Sequence, residues 1–221
     1  MKIFEMIYQT KTKTMKQISL FLTLSLVLIL SSCRTRTTNN ALKRGEKLKS
    51  SINSFEKNRK KLSTKVVSSL QEAKESLTAE NPDLPEVSKD FEKQWRSIMK
   101  RYNKMKGNFE DIGTNSRKYF EELDKLSSNI HNEKLRNEEL AKNKQLETKW
   151  QKIYKEAEVS VNKVTGVLES GNDFHMVLVA SSIRQKLEQN VAELTNIAEQ
   201  AKALLSELEV FTQQGRELVE G

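Results

Sequence analysis

The residues able to do covalent or ligand chemistry are few in this chain. Cys33 is the single thiol, and His131 and His175 are the two imidazoles. A thiol with a base beside it would be a nucleophile, and converging thiolates and imidazoles would hold zinc. Neither arrangement can be read here. The histidines stand far apart at turn or helix-start positions, without HxxxH spacing or a neighbouring cysteine, and read as surface residues. One cysteine excludes an internal disulfide framework and a cysteine-built zinc site. No glycine-rich phosphate loop is present. Paired carboxylates such as Glu121-Glu122 and Glu138-Glu139 point in different directions on a helix, so a solvated charged face accounts for them. The expectation is a protein with no catalytic residues, no metal and no cofactor, hence not an enzyme.

The setting of Cys33 carries more information than its chemistry. Ile18–Leu30 is thirteen uncharged residues, preceded by Lys11, Lys13 and Lys16. A basic segment followed by an apolar run of this length has the form of a secretory signal. It is too short for a comfortable transmembrane helix, which needs about 20 residues. Met15-Lys16 would make a tidier start, placing residues 1–14 upstream of it. Leu30-Ser31-Ser32-Cys33 resembles a bacterial lipobox: an aliphatic residue, two small residues, then cysteine. The resemblance implies a diacylglycerol on the Cys33 sulfur, cleavage before Cys33, and acylation of the new amine. Each buried acyl CH₂ contributes about 0.8 kcal/mol, so several chains anchor almost permanently. A signal-peptidase site with a spare thiol, or a chance cysteine in a membrane anchor, are the plainer alternatives. By analogy with enterobacterial sorting, Arg34 rather than Asp after the cysteine favours the outer membrane, facing the periplasm.

Charge is unevenly placed. Residues 33–79 carry twelve basic and four acidic residues, whereas residues 80–221 carry 22 basic and 25 acidic. The net charge of +8 therefore belongs to the start of the mature chain and is no nucleic-acid signature for the whole. Lys57, Arg59, Lys60 and Lys61 form the densest basic run near the lipidated end. Near an anionic leaflet each cation contributes about 1 kcal/mol. The competing account is a solvated face paired with an acidic last helix, since residues 171–221 hold eight acids and four bases.

The elements that position these residues follow from periodicity. With 7 glycines, 2 prolines and 31% charged residues, long helices with narrow buried seams are expected. Arg34–Asn40 reads as a short tether. A first helix runs from about Asn40 to Thr78 on Leu48, Ile52, Phe55, Leu62, Val66, Leu70, Ala73 and Leu77, with a break at Arg59. Pro82 and Pro85 end it. The second helix carries a four-three heptad run: Phe91, Trp95, Ile98, Tyr102, Met105, Phe109, Ile112, Ser116, Tyr119, Leu123, Leu126 and Ile130. A tight turn falls in Asn129–Lys134. A third helix uses Trp150, Tyr154, Ala157, Val161, Val164 and Leu168, although valine-rich Glu158–Val167 can also be argued as a strand. Ser170-Gly171-Asn172-Asp173 reads as a stop and a cap, one bent helix being the alternative. A fourth helix is then expected on Met176, Ala180, Ile183, Leu187, Val191, Leu194, Ala198, Ala201, Leu205 and Leu208. Trp95, Trp150, Tyr102 and Tyr154 would suit a ligand platform, but their heptad positions favour bundle core.

The fold expected is therefore all-α, an elongated antiparallel helical bundle or coiled coil of three to four long helices. Its expected organisation is a signal peptide over 1–32, a lipidated tether over 33–40 and a coiled-coil domain over 41–221. Phe91–Phe211 also resembles an uncharacterised bacterial family, the domain of unknown function numbered 2959, whose members look like lipoproteins with long helices. Leu135-Arg136, Leu146, Thr148, Tyr154, Ala157-Glu158 and Val167-Leu168 carry the likeness. The chain departs from that family around His175, where a basic segment is expected. The resemblance implies no activity. The function expected is a non-enzymatic scaffold of the cell envelope, lipid-anchored, holding envelope proteins or cell wall, with homo-oligomerisation through the coiled coil a further option. The alternative is a module whose basic helix engages anionic lipid or wall polymer. A helical toxin that opens into a membrane is the remote third.

Overall fold

The computed structural model describes the backbone of residues 2–184 and 191–220 and the side chains of residues 39–184 and 191–220. The side chains of Ile18–Leu30, Cys33 and Arg34–Thr38 lie outside the described residues, as does Leu187. Four helices follow in order: α1 (Lys2–Leu77), α2 (Leu84–Ser128), α3 (Glu133–Arg184) and α4 (Val191–Glu220). The architecture is all-α, as the periodicity predicts. Contacts link α1 to α2, α2 to α3, α3 to α4, and α4 back to α1, closing a four-membered ring. Asn58 to Asn108 and Ser51 to Asn115 pair along α1 and α2 in opposite directions, so these neighbours are antiparallel. Short loops enforce that arrangement. At 1.5 Å per residue, the 45-residue α2 is about 68 Å long, which makes the bundle a rod.

Local chemistry explains the helix ends. The carboxylate of Asp83 accepts from the Glu86 N–H at 3.1 Å, and Pro85 sits in the first turn, where its missing donor costs nothing. The expected turn after α2 is present. There Asn132 caps α3, its side-chain oxygen accepting from the Leu135 N–H at 3.1 Å. Glu158–Val167 is helix and not strand. α1 begins earlier than the expected Asn40, and its backbone is helical through Arg34–Asn40, where a tether was expected. No glycine or proline precedes Gly45, so nothing local breaks it.

The largest departure is at Gly171. α3 runs straight through it, and the chain passes to α4 between Arg184 and Val191. Gly171 is there for space: a Cβ would lie 1.7 Å from Cζ2 of Trp95. Phe174 and Leu178 continue the buried stripe, while Met176 and Ile183, expected in a seam, are 65% and 78% exposed. In α2 the stripe follows the heptad to Ser116 and then moves to Phe120 and Ser127, leaving Tyr119 and Leu126 half-buried. A straight helix has 3.6 residues per turn, so it drifts about 20° per heptad and must skip a step. α1 buries the eight apolar positions expected of it.

The centre of the rod is a layer with one aromatic ring from each helix: Phe55, Phe109, Tyr154 and Phe211. Tyr154 stacks on Phe109 at 4.5 Å between centroids, and Phe211 meets Phe55 edge-on at 5.9 Å. Such pairs contribute about 0.5–1.5 kcal/mol each beyond burial.

Candidate functional site

Two built features stand out, one in each of two opposite seams. The first takes one residue, Arg59, out of the expected basic patch. Lys57, Lys60 and Lys61 are exposed on α1, but Arg59 is 4% exposed and points into the bundle. Arg59 falls three or four residues from Phe55 and Leu62, on the seam itself, so helical geometry turns it inward. Its Nε donates to Oε2 of Glu56 at 2.7 Å and its Nη2 to Oε1 at 2.8 Å, a bidentate pair. Nη1 donates to the Leu205 carbonyl at 2.9 Å, and Glu209 lies 3.2 Å from Nη2. The Thr212 hydroxyl reaches Oε2 of Glu56 at 3.1 Å from α4. Burial pushes Glu56 up, but hydrogen bonds and charge from Arg59, with Thr212 and Lys60, hold it below the usual carboxylate range. Burial likewise works against the Arg59 cation, and Glu56 and Glu209 outweigh it, raising its pKa. Arg59 is thus withdrawn from any surface role, because releasing it would strand a buried carboxylate.

The second feature is a ladder of aromatic donors between α2 and α3. Trp95 Nε1 donates to the Leu168 carbonyl at 3.2 Å. One heptad along, the Tyr102 hydroxyl donates to the Val161 carbonyl at 3.0 Å. One heptad further, the Tyr154 hydroxyl donates back to the Phe109 carbonyl at 3.4 Å. Glycines supply the holes that let these rings reach backbone. Gly171 faces the Trp95 indole, and a Cβ on Gly113 would lie 2.4 Å from the Tyr154 hydroxyl. Trp95, Tyr102 and Trp150 are buried in the core and Tyr154 packs half-buried against it, as their heptad positions predict. His131 is exposed, and His175 is half-buried with its ring parallel to Phe91 at 6.3 Å.

Sequence periodicity did not identify Glu56, Glu209, Thr212 or the two glycine holes. The signal for the first three was present. A charged residue in a seam slot implies a buried partner, and Glu56 stands one turn before it. Gly113 and Gly171 carry no comparable signal, because a hole is defined by the ring on the facing helix.

The backbone of Cys33 lies in α1, and the first apolar side chain to enter the core among the described residues is Ala41, eight residues on. Among the described residues no helix is long and apolar enough to cross a membrane, and no cluster of metal-ligating side chains forms. The fold and its seams define an antiparallel four-helix bundle. No family model, curated protein or solved structure matches this chain. The likeness of Phe91–Phe211 to a family of unknown function stands as a proposal.

Proposed function

We propose that this chain is an envelope lipoprotein, secreted through residues 1–32, acylated on Cys33 and acting as a non-enzymatic scaffold. The observation that carries the proposal is Leu30-Ser31-Ser32-Cys33 directly after a basic segment and a thirteen-residue apolar run. The rod supports it. A bundle roughly 70 Å long with a filled core, anchored at one end, sets a fixed distance between a membrane and whatever its far end holds. Its outer-membrane placement rests on Arg34 alone. Replacing Cys33 by alanine should abolish palmitate incorporation and move the protein out of the membrane fraction. Retention of both would overturn the proposal.

A second reading keeps a basic strip as the working surface. Lys57, Lys60 and Lys61 are exposed within about one turn of α1, and Lys60 spends part of its charge on Glu56 at 3.4 Å. Changing these three to glutamine, with Arg59 left in place, should weaken salt-sensitive pelleting on anionic vesicles or wall sacculi. Three lysines at about 1 kcal/mol each set the scale. Unchanged pelleting would remove this reading.

A further inference from the structure

At the end of the rod where α1 enters the core, α1, α2 and the last described turn of α4 enclose a cleft of about 530 Å³. Leu42, Tyr119, Leu123, Leu126 and Val219 line it, and its rim carries the ion pair of Lys49 with Glu220 at 2.6 Å. Its volume lies in the range of small-molecule sites. Leu42 is 63% exposed, and Tyr119 is half-buried, burial raising the pKa of its phenol. No hydrogen-bond partner for the phenol exists among the described residues. The apolar side chains of this wall can receive an apolar occupant.

The chain itself limits the choice. Between Cys33 and Ala41 the sequence is Arg-Thr-Arg-Thr-Thr-Asn-Asn, with no apolar side chain to cover the cleft. The next apolar matter upstream in the mature chain is the lipid on Cys33. Eight helical residues place Cys33 about 12 Å from Ala41 along the axis. A long-chain acyl group spans that distance. Resting on the lipoprotein reading, we propose that this cleft holds one acyl chain of the Cys33 lipid, folded back along α1.

Burial of a methylene is favourable in a bilayer and in an apolar cleft alike, so an acyl chain can exchange between the two. Stable anchoring takes two lipid signals, so a triacylated terminus can lend one chain to the cleft and stay attached. Sheltering a chain lowers the apolar area that the protein exposes while it is away from a bilayer.

The test uses the full chain expressed in bacteria fed a palmitate bearing a terminal diazirine, purified and irradiated. Mass spectrometry should find Cys33 acylated and cross-linked within the same molecule to peptides holding Leu42 or Tyr119–Leu126. Leu42→Glu, at an exposed position that leaves the fold intact, should lower that adduct at least fivefold, and Leu126→Gln should do the same. Acylated Cys33 with adducts only to surrounding lipid or detergent overturns the cleft proposal and leaves lipidation standing. Absence of label on Cys33 overturns both. In a parallel arm, the Cys33→Ala chain is irradiated with the free palmitate probe. No cleft adduct is expected to survive dilution there, because the tethered chain's high local concentration is gone. Equal labelling in both arms makes this a site for free fatty acid and overturns the tethered source.

Discussion

The seam between α2 and α3 and the seam between α1 and α4 solve the same problem by different physics. Both must fix the register of two long helices whose apolar stripes alone tolerate sliding. Between α2 and α3, neutral donors on Trp95, Tyr102 and Tyr154 reach backbone carbonyls, and glycines open the room. Between α1 and α4, one buried bidentate ion pair, Arg59 with Glu56, is tied to Leu205 and Thr212. The first lock works by shape and spreads over three levels, two heptads apart from end to end. The second works by charge at one level. Shape locks fail by overfilling, whereas charge locks fail by losing a partner or a proton.

The largest expected effect breaks the shape lock. Gly171→Ala puts a methyl group 1.7 Å from a buried indole that cannot swing away without giving up its hydrogen bond. Overpacking of this severity should cost about 3 kcal/mol or more in chemical denaturation. Trimming the ring in the Gly171→Ala, Trp95→Leu double variant should recover part of the loss, giving a coupling energy that independent sites lack. Equal and additive losses would show that the glycine is not a hole for that ring.

Next comes the charge lock. Glu56→Ala leaves Arg59 buried with only Glu209 and a carbonyl, and should cost about 3 kcal/mol, the low end for a broken buried pair. The same group sets a pH dependence. Because Glu56 is held below its unfolded value, its contribution is complete above about pH 4.3 and is lost as pH falls through the folded pKa. Wild type should therefore lose more melting temperature between pH 6 and pH 3 than Glu56→Gln does. A parallel decline would mean that the pair adds nothing. The smallest effect sharpens the contrast. Tyr102→Phe removes one neutral hydroxyl whose partners, the Val161 carbonyl and the Thr165 hydroxyl, keep other options, at about 1 kcal/mol and without any change in pH dependence.

Much of this was legible in the chain, for reasons visible in particular residues. The α1 stripe from Leu48 to Leu77 is buried as its spacing predicts, because four-three recurrence leaves a helix one apolar face. Asp83 and Pro85 announce the start of α2 through chemistry confined to a few neighbours. Gly171 misled because a glycine followed by asparagine and aspartate has the local form of a stop and a cap. Its helical role depends on Trp95, 76 positions away in sequence. The error then moved the expected seam onto Met176 and Ile183, which face solvent. Arg59 is the intermediate case. Composition places it in a basic patch, whereas its register places it in the core, and the structure follows register.

The proposed anchor sits at the end of the rod where α1 meets the apolar cleft, with the ionic lock further up the same helix. The account depends most on the fate of Cys33, so the mass of the intact protein isolated from its own membranes is the most direct measurement. A chain beginning at Cys33, heavier than its residues by a diacylglycerol and an amide-linked fatty acid, is the predicted result. A chain still carrying residues before Cys33, or one ending in an unmodified thiol at that position, would contradict it.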